Sequence, residues 1–151
     1  MLNIALHSPQ IPPNTGNIIR LCANTGTQLH LIEPLGFKLE DKQLQRAGLD
    51  YHEWATVKIH ADFETFKTHI SPARIFAFST KGQRIYTAVE YQAGDVLLFG
   101  SETQGLPLPI LDTFPKEHIL RLPMQAHSRS LNLSNAAAIA LFEAWRQKGF
   151  Q

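Results

Sequence analysis

The sequence DVLLFGSETQG, residues 95–105, joins an apolar run to a polar loop bounded by two glycines. A short apolar run without alternation is typical of a strand buried on both faces, as in a parallel sheet. Further strands are predicted at residues 2–6, 29–32, 57–59, 74–79 and 118–122, and helices at residues 14–24, 39–47, 62–69 and 132–148, with Asn14 and Asp62 as N-caps. This alternation predicts an α/β fold with a mostly parallel sheet covered by helices on both faces.

Length and composition indicate a single domain spanning residues 1–151. The content of 44% hydrophobic and 18% charged residues excludes a disordered chain, and the lone Cys22 excludes a disulfide-stapled scaffold. No apolar run reaches the roughly 20 residues that cross a bilayer, and no signal peptide is evident, so we expect a cytoplasmic protein without a membrane partner. The net charge of +1 does not by itself indicate nucleic-acid binding.

Ligands of open parallel sheets bind beyond the carboxyl ends of the strands. Here that rule selects the loops at residues 79–83, 100–107 and 123–134. Gly100 and Gly105 allow a sharp turn and a close backbone approach, which suits either a cofactor loop or an ordinary turn. The third loop leads into a helix start with more Ser and Asn than one N-cap requires, which is consistent with a cofactor wall or a well-capped core helix.

The predicted first helix carries Asn17, Arg20 and Asn24 on the face opposite its apolar stripe. An arginine between two amides suits a phosphate or a ribose, and a solvated helix face is the alternative interpretation. The seven histidines show no metal-ligand spacing, so no metal is expected. The chain also has no Walker A loop, no three-glycine dinucleotide fingerprint and no nucleophile elbow.

Three ordered segments together resemble the motifs of the SPOUT (α/β-knot) class of RNA methyltransferases. They are N-x-G-N-x-x-R at residues 14–20, L-F-G-S-E-x-x-G-L at residues 98–106, and I-L-R-L-P-M at residues 119–124 followed by S-R-S-L-N-L-S-N-A at residues 128–136. The chain is similar to the minimal TrmL/YibK-type members, which methylate the ribose 2′-hydroxyl of the tRNA wobble nucleotide. The segment RAGLDY, residues 46–51, shares this family character without an obvious chemical role.

The resemblance implies a C-terminal deep trefoil knot, a homodimer with the active site near the subunit interface, and no metal requirement. It also implies S-adenosylmethionine as the cofactor, with S-adenosylhomocysteine as its product. By position, the implied cofactor-binding residues are Phe78, Ser79, Gly100, Ser101, Glu102, Leu122, Met124, Ser130 and Leu131.

The resemblance further implies that Arg20 is catalytic, and that Asn14 and Ser130 or Asn132 orient the ribose hydroxyl. Whether Arg20 acts as a base or positions the phosphate stays open, although a guanidinium pKa above about 12 favours positioning. The implied substrate is the wobble cytidine or modified uridine of tRNA, with leucine tRNAs expected.

Candidate RNA contacts are Arg20, Arg46, Lys81 and Arg129, with Lys38, Lys42, Arg84 and Arg121 as further basic candidates. The main alternative is a knotted RNA-binding module without catalytic activity. A nicotinamide-dependent oxidoreductase is a third hypothesis, which the missing three-glycine fingerprint disfavours.

Overall fold

The computed structural model describes residues 1–151 and contains seven strands and six α-helices. The strands are β1 (Asn3–His7), β2 (Gln28–Ile32), β3 (Val57–His60), β4 (Ile75–Phe78), β5 (Arg84–Ile85), β6 (Val96–Phe99) and β7 (Ile119–Arg121). The helices are α1 (Pro12–Thr25), α2 (Lys42–Gln45), α3 (Tyr51–Trp54), α4 (Phe63–Ile70), α5 (Leu108–Leu111) and α6 (Leu133–Gln147). Two 3₁₀ turns, Tyr86–Ala88 and Lys116–His118, complete the elements.

All strand pairs are parallel, in the order β3-β2-β1-β6-β4-β7-β5. This order confirms the predicted parallel α/β class. It places β6, β4 and β7 side by side, so the loops after these three strands leave the same edge of the sheet. The trefoil knot stays a prediction, because strand order does not define how the chain threads.

Alternation along each strand divides the core between the two faces of the sheet. In β6, Leu97 and Phe99 join the larger apolar cluster, which includes α1 and α6, whereas Val96 and Leu98 join a second cluster with α4 and α5. All four β6 residues are buried, and burying one such side chain fully stabilises a fold by about 1.5–3 kcal/mol. The sequence DVLLF therefore forms the centre of the sheet.

Helix α1 begins earlier than predicted, and Asn14 is not its N-cap. Ile11 is the N-cap and makes no side-chain capping bond, while Pro12 and Pro13 occupy the first turn. Proline suits this position because its missing N–H has no helical partner there and its φ is already helical. The Asn14 side chain is therefore inside the helix and free to bond elsewhere.

The helix predicted at residues 39–47 is wrong in length. Only Lys42–Gln45 is helical, and it starts where the Asp41 carboxylate accepts from the Gln43 backbone N–H at 2.8 Å. Phe37 and Leu39 pack against the larger core cluster from the irregular segment before it. The apolar positions in this charged segment therefore contact the core from an irregular segment and a short helix, and they do not form one face of a continuous helix.

The helices α4 and α6 match their predictions closely. The Asp62 carboxylate caps α4 through the Thr65 backbone N–H, and Asn132 caps α6. On the inward face of α6, Ala137, Ala140, Leu141 and Ala144 are fully buried, and Trp145, which the same helical spacing puts on that face, is partly buried. Helix α3, helix α5 and strand β5 were not predicted.

A histidine pair lies in the interior beside β1, β2 and β3. His30 is 1% exposed, its Nδ1 lies 2.9 Å from Nε2 of His60, and its Nε2 lies 3.1 Å from the Asn3 side-chain oxygen. Burial, followed by the nearby charge of His60, lowers the pKa of His30 to about 3. The ring is therefore neutral in the folded chain near neutral pH.

No helix in the fold combines the length and apolar character that crossing a bilayer requires.

Candidate active site

A cavity of about 250 Å³ lies beyond the carboxyl ends of β4, β6 and β7. The loops selected above as ligand-binding candidates contribute to it. The lining residues come from residues 79–81, residues 100–106, and the segment from Leu122 to Leu131. The cavity forms here because three adjacent parallel strands end at one edge and their following loops diverge.

The structure brings all the predicted cofactor residues to this cavity. Its lining includes Phe78, Ser79, Gly100, Ser101, Glu102, Leu122, Met124, Ser130 and Leu131. The apolar floor contains Phe78 and Phe99, whose rings stack with centroids 4.7 Å apart. Lys81 and Glu102 are the lining residues with ionisable side chains. The cavity therefore offers a flat apolar surface with hydroxyl groups and backbone at its rim.

The turn at residues 100–105 depends on its two glycines. A side chain at Gly100 would collide with the backbone of Gly105 and Leu106, and Gly105 has a φ of +67°. Ser101 and Gly105 pair across the turn, and the Gly105 backbone N–H donates to the Ser101 carbonyl at 2.9 Å. The turn thus keeps the backbone close to the cavity.

The Glu102 carboxylate bonds to helix α1. Its Oε1 accepts from the Gln10 backbone N–H at 2.8 Å, and its Oε2 accepts from the Ile11 backbone N–H at 2.9 Å and from Asn14 Nδ2 at 3.2 Å. A carboxylate at a helix N-terminus is also favourable for the helix dipole. Glu102 therefore lines the cavity while its charged end fastens the second motif segment to the first.

Asn14 continues this connection to the third motif segment. Its Oδ1 accepts from Asn132 Nδ2 at 3.0 Å. The Asn132 Oδ1 in turn accepts from the backbone N–H of Ser134 at 2.9 Å and of Asn135 at 3.3 Å, which caps α6. Glu102, Asn14 and Asn132 form one polar chain that joins all three segments of the resemblance beside the cavity. We call it the motif-linking chain.

Arg20 lies apart from the cavity of its own chain and is not among the lining residues. Its Nε donates to Glu53 Oε2 at 2.9 Å, and its Nη2 donates to the Gly48 carbonyl at 3.1 Å. The hydrogen bond to Glu53 and the charge of that carboxylate raise the pKa of Arg20 above its ordinary value. The guanidinium therefore stays protonated, which opposes a role as general base.

Glu53 is the partner that the sequence analysis missed. It belongs to a capping box at the start of α3: the Asp50 carboxylate accepts from the Glu53 backbone N–H at 2.9 Å, and Glu53 Oε1 accepts from the Asp50 backbone N–H at 3.2 Å. The pattern D-x-x-E at residues 50–53 is the signature of such a box and predicts this helix start. Nothing in the pattern predicts the bond to Arg20.

The predicted RNA-contact side chains have different environments. Arg46 and Arg129 are exposed, and Lys81 is exposed at the cavity. Lys38 and Lys42 are also exposed, whereas Arg121 is half-buried. The Arg84 guanidinium donates to the backbone carbonyls of Glu117 and Ala88 at 2.8 and 3.0 Å, so it is committed to bracing the chain.

Residues 1–142 match the family model described as the SpoU rRNA Methylase family. The chain belongs to this family. The SpoU-family chain is 60% identical to a tRNA (cytidine(34)-2'-O)-methyltransferase of Yersinia pestis, an alignment that covers 99% of this chain and 96% of that protein.

Solved structures agree with the family assignment. One solved structure is described as "Structural insights into the 2-OH methylation of C/U34 on tRNA". The SpoU-family chain superimposes on it with a TM-score of 0.91 and 43% identity, and the alignment covers 100% of this chain and 98% of the other. It also matches an AdoMet-bound rRNA methyltransferase from Sinorhizobium meliloti at 28% identity, with a TM-score of 0.81, over 96% of this chain and 56% of that one.

Proposed function

We propose that this chain transfers a methyl group from S-adenosylmethionine to the ribose 2′-hydroxyl of nucleotide 34, the wobble nucleotide of tRNA. The observation that carries the proposal is the 60% identity, over nearly the full length of both chains, with a relative named for this reaction. The SpoU family assignment and the 43% identical structure described by the same methylation support it. We expect cytidine or modified uridine as the base, leucine tRNAs as substrates and the cytoplasm as the location.

The cavity fits the proposed cofactor in its chemistry. The apolar floor around Phe78, Leu122 and Leu131 suits an adenine ring, and the hydroxyl groups of Ser79, Ser101 and Ser130 suit the polar parts. The backbone of the turn at residues 100–105 can supply further donors and acceptors. The nine lining residues that the sequence analysis selected are the cofactor-binding residues of this proposal, and none of the chemistry requires a metal.

When bound, the cofactor supplies an electrophilic methyl group on a sulfonium that leaves as a neutral thioether. The ribose oxygen would take the methyl carbon as the carbon–sulfur bond breaks, and the hydroxyl proton would pass to solvent. The protein must therefore align the ribose oxygen with the methyl carbon and stabilise the negative charge that develops on that oxygen.

Arg20 supplies this stabilisation in the proposal. Its raised pKa keeps it cationic, so it binds the phosphate beside the reacting ribose or the developing charge and does not accept the proton. Asn14 donates to Glu102 and accepts from Asn132, so these side chains fix the geometry of the loops. Ser130 is exposed and lines the cavity, and the proposal gives its hydroxyl group the role of contacting the ribose.

A homodimer completes the site in this proposal. Arg20 is not at the cavity of its own chain, so a second copy is needed to bring an Arg20 there. Helix α6 exposes Ile139 by 41% and Phe142 by 45%, and apolar side chains at this exposure favour contact with a second subunit. Light scattering should give twice the mass of the chain, and Ile139→Glu should lower it to that of the monomer.

The direct test is transfer of labelled methyl groups to leucine tRNA transcripts, followed by nuclease mapping of the label. A transcript with a 2′-deoxyribose at nucleotide 34 is the matched control and should remain unlabelled. Arg20→Ala should lose turnover and retain its affinity for S-adenosylhomocysteine. Tight tRNA binding without any label would instead favour the RNA-binding module, and label at another nucleotide would contradict the proposed position.

A further inference from the structure

The segment at residues 46–53 contacts Arg20 through two hydrogen bonds, although the proposed reaction gives this segment no role. Arg20 Nε binds the Glu53 carboxylate, and Arg20 Nη2 binds the Gly48 carbonyl. These two contacts fix one edge of the guanidinium plane. Its Nη1 group has no partner within the chain, so the opposite edge faces outward with free N–H donors.

Glu53 is itself held in place, which makes it a rigid partner. Each of its carboxylate oxygens has a separate partner: Oε1 accepts from the Asp50 backbone N–H and Oε2 accepts from Arg20. The Glu53 side chain is 17% exposed, against 47% for Arg20. The capping box therefore fixes a carboxylate beside an arginine that would otherwise sample many rotamers.

We propose that the segment at residues 48–53 orients Arg20 for the reaction, with Glu53 as the positioning residue that presents the free guanidinium edge to the RNA. This inference rests on the proposed function, because it assigns Arg20 to the RNA substrate. It gives the RAGLDY segment an indirect role in catalysis: Gly48 bonds to Arg20, and Asp50 forms the capping box that holds Glu53.

Orientation matters because the free edge of the guanidinium is a planar fork. Two parallel N–H groups bind two phosphate oxygens only when the plane is correctly turned. Displacing a catalytic group by about 1 Å can lower the rate by about 100-fold. An arginine released from Glu53 keeps its charge and loses this alignment.

The test compares Glu53→Ala and Glu53→Gln with a matched control, Glu64→Gln. Glu64 forms an exposed ion pair with Lys67 on α4, so the control removes one surface carboxylate and one ion pair from another part of the chain. For each variant, kcat and KM are measured with tRNA, affinity for S-adenosylhomocysteine is measured by calorimetry, and folding is followed by thermal unfolding.

We expect Glu53→Ala to lower kcat by about 10- to 100-fold while cofactor affinity stays within about twofold of the wild type. Glu53→Gln should lower kcat by about 3- to 10-fold, because a neutral amide has one acceptor oxygen for two donors and makes weaker bonds than a carboxylate. The control should match the wild type in both quantities. If Glu53→Ala does not fold, the Gln variant decides the test.

A double variant separates positioning from a general structural effect. Arg20→Lys keeps the positive charge but has no planar guanidinium for Glu53 to orient. In this background kcat should therefore no longer depend on Glu53. Adding Glu53→Ala to Arg20→Lys should change kcat by less than about twofold, because residues that act as one unit are not additive. A purely structural role would lower kcat by the same factor in both backgrounds.

The inference is overturned if folded Glu53→Ala, or folded Glu53→Gln where the alanine variant does not fold, turns over at the wild-type kcat. It is also overturned if removing Glu53 raises kcat and tightens tRNA binding, since the ion pair would then restrain Arg20 from the RNA. Both results presuppose a wild-type chain that methylates tRNA. A wild-type chain that leaves tRNA unlabelled contradicts the proposed function instead.

Discussion

Replacing Glu102 tests whether the motif-linking chain stabilises the fold. Glu102→Ala removes three hydrogen bonds to a carboxylate, of 2.8, 2.9 and 3.2 Å. One hydrogen bond to a charged group contributes about 1.5–3 kcal/mol, and two of these bonds are exposed, so water recovers part of the loss. We expect Glu102→Ala to lower the free energy of unfolding by about 2–3 kcal/mol and Glu102→Gln by about 1–2 kcal/mol.

Urea titrations and thermal unfolding followed by circular dichroism provide the measurement. For a domain of this size, 1 kcal/mol corresponds to about 2–4 °C, so Glu102→Ala should lower Tm by about 4–12 °C. Thr103→Ala, an exposed neighbour in the same loop, should stay within about 0.5 kcal/mol of the wild type. An alanine variant at position 102 as stable as that control would refute the structural role of the carboxylate.

Three further variants probe the core and the cavity. His30 has a pKa of about 3 when folded and an ordinary value of 6.5 when unfolded, so the unfolded chain binds more protons in this interval and stability falls as pH decreases. Urea titrations should show a loss of up to about 1.4 kcal/mol per pH unit below pH 6.5, and an equal slope in His30→Gln would contradict this assignment. Leu97→Ala should lower the free energy of unfolding in urea by about 2–5 kcal/mol, because the buried side chain leaves a cavity, and a smaller loss would mean that the core relaxes around it. Gly100→Ala should weaken S-adenosylhomocysteine binding in calorimetry by about tenfold, because the new Cβ collides with Gly105 and costs about 1–3 kcal/mol of strain; unchanged affinity would show that the turn opens freely.

Elements whose signals are local could be predicted from the sequence. The run at residues 96–99 is buried on both faces, so its lack of alternation identified a central parallel strand. Asp62 and Asn132 cap their helices through their own side chains, within three residues of the cap. Such signals depend on neighbouring residues alone, and no tertiary contact overrides them here.

Elements that depend on distant contacts could not be predicted. Strand β5 has two residues and exists because Arg84 and Ile85 pair with β7 and the Arg84 guanidinium binds carbonyls of residues 88 and 117. The segment at residues 39–47 has the composition of a helix, yet Leu39 packs into the core from an irregular turn. The start of α1 was missed for a local reason instead: Asn14 resembled an N-cap, but Pro12 and Pro13 occupy the first turn.

The cavity lining could be predicted because parallel strands end at one edge, whereas the partners of its polar groups could not. Glu102 bonds to the chain around residues 10–14, and Arg20 bonds to a residue 33 positions further along. Periodicity carries no information about such pairs. The resemblance named the candidate site residues, and the structure shows which groups bond to Glu102, Asn14 and Arg20.

Glu102, predicted to bind the cofactor, and Arg20, predicted to be catalytic, both have fixed partners, and this limits what each can do. The Glu102 carboxylate already accepts three hydrogen bonds, from the backbone N–H groups of Gln10 and Ile11 just before helix α1 and from Asn14 within it. Arg20 is held cationic by Glu53. Both groups are therefore already engaged, and in the proposed reaction we expect the ribose proton to pass to solvent. A sulfonium donor needs no general acid, because it leaves as a neutral thioether. In the proposed reaction the chain contributes alignment together with the positive charge of Arg20, and Glu102, Asn14 and Asn132 hold the loops in place.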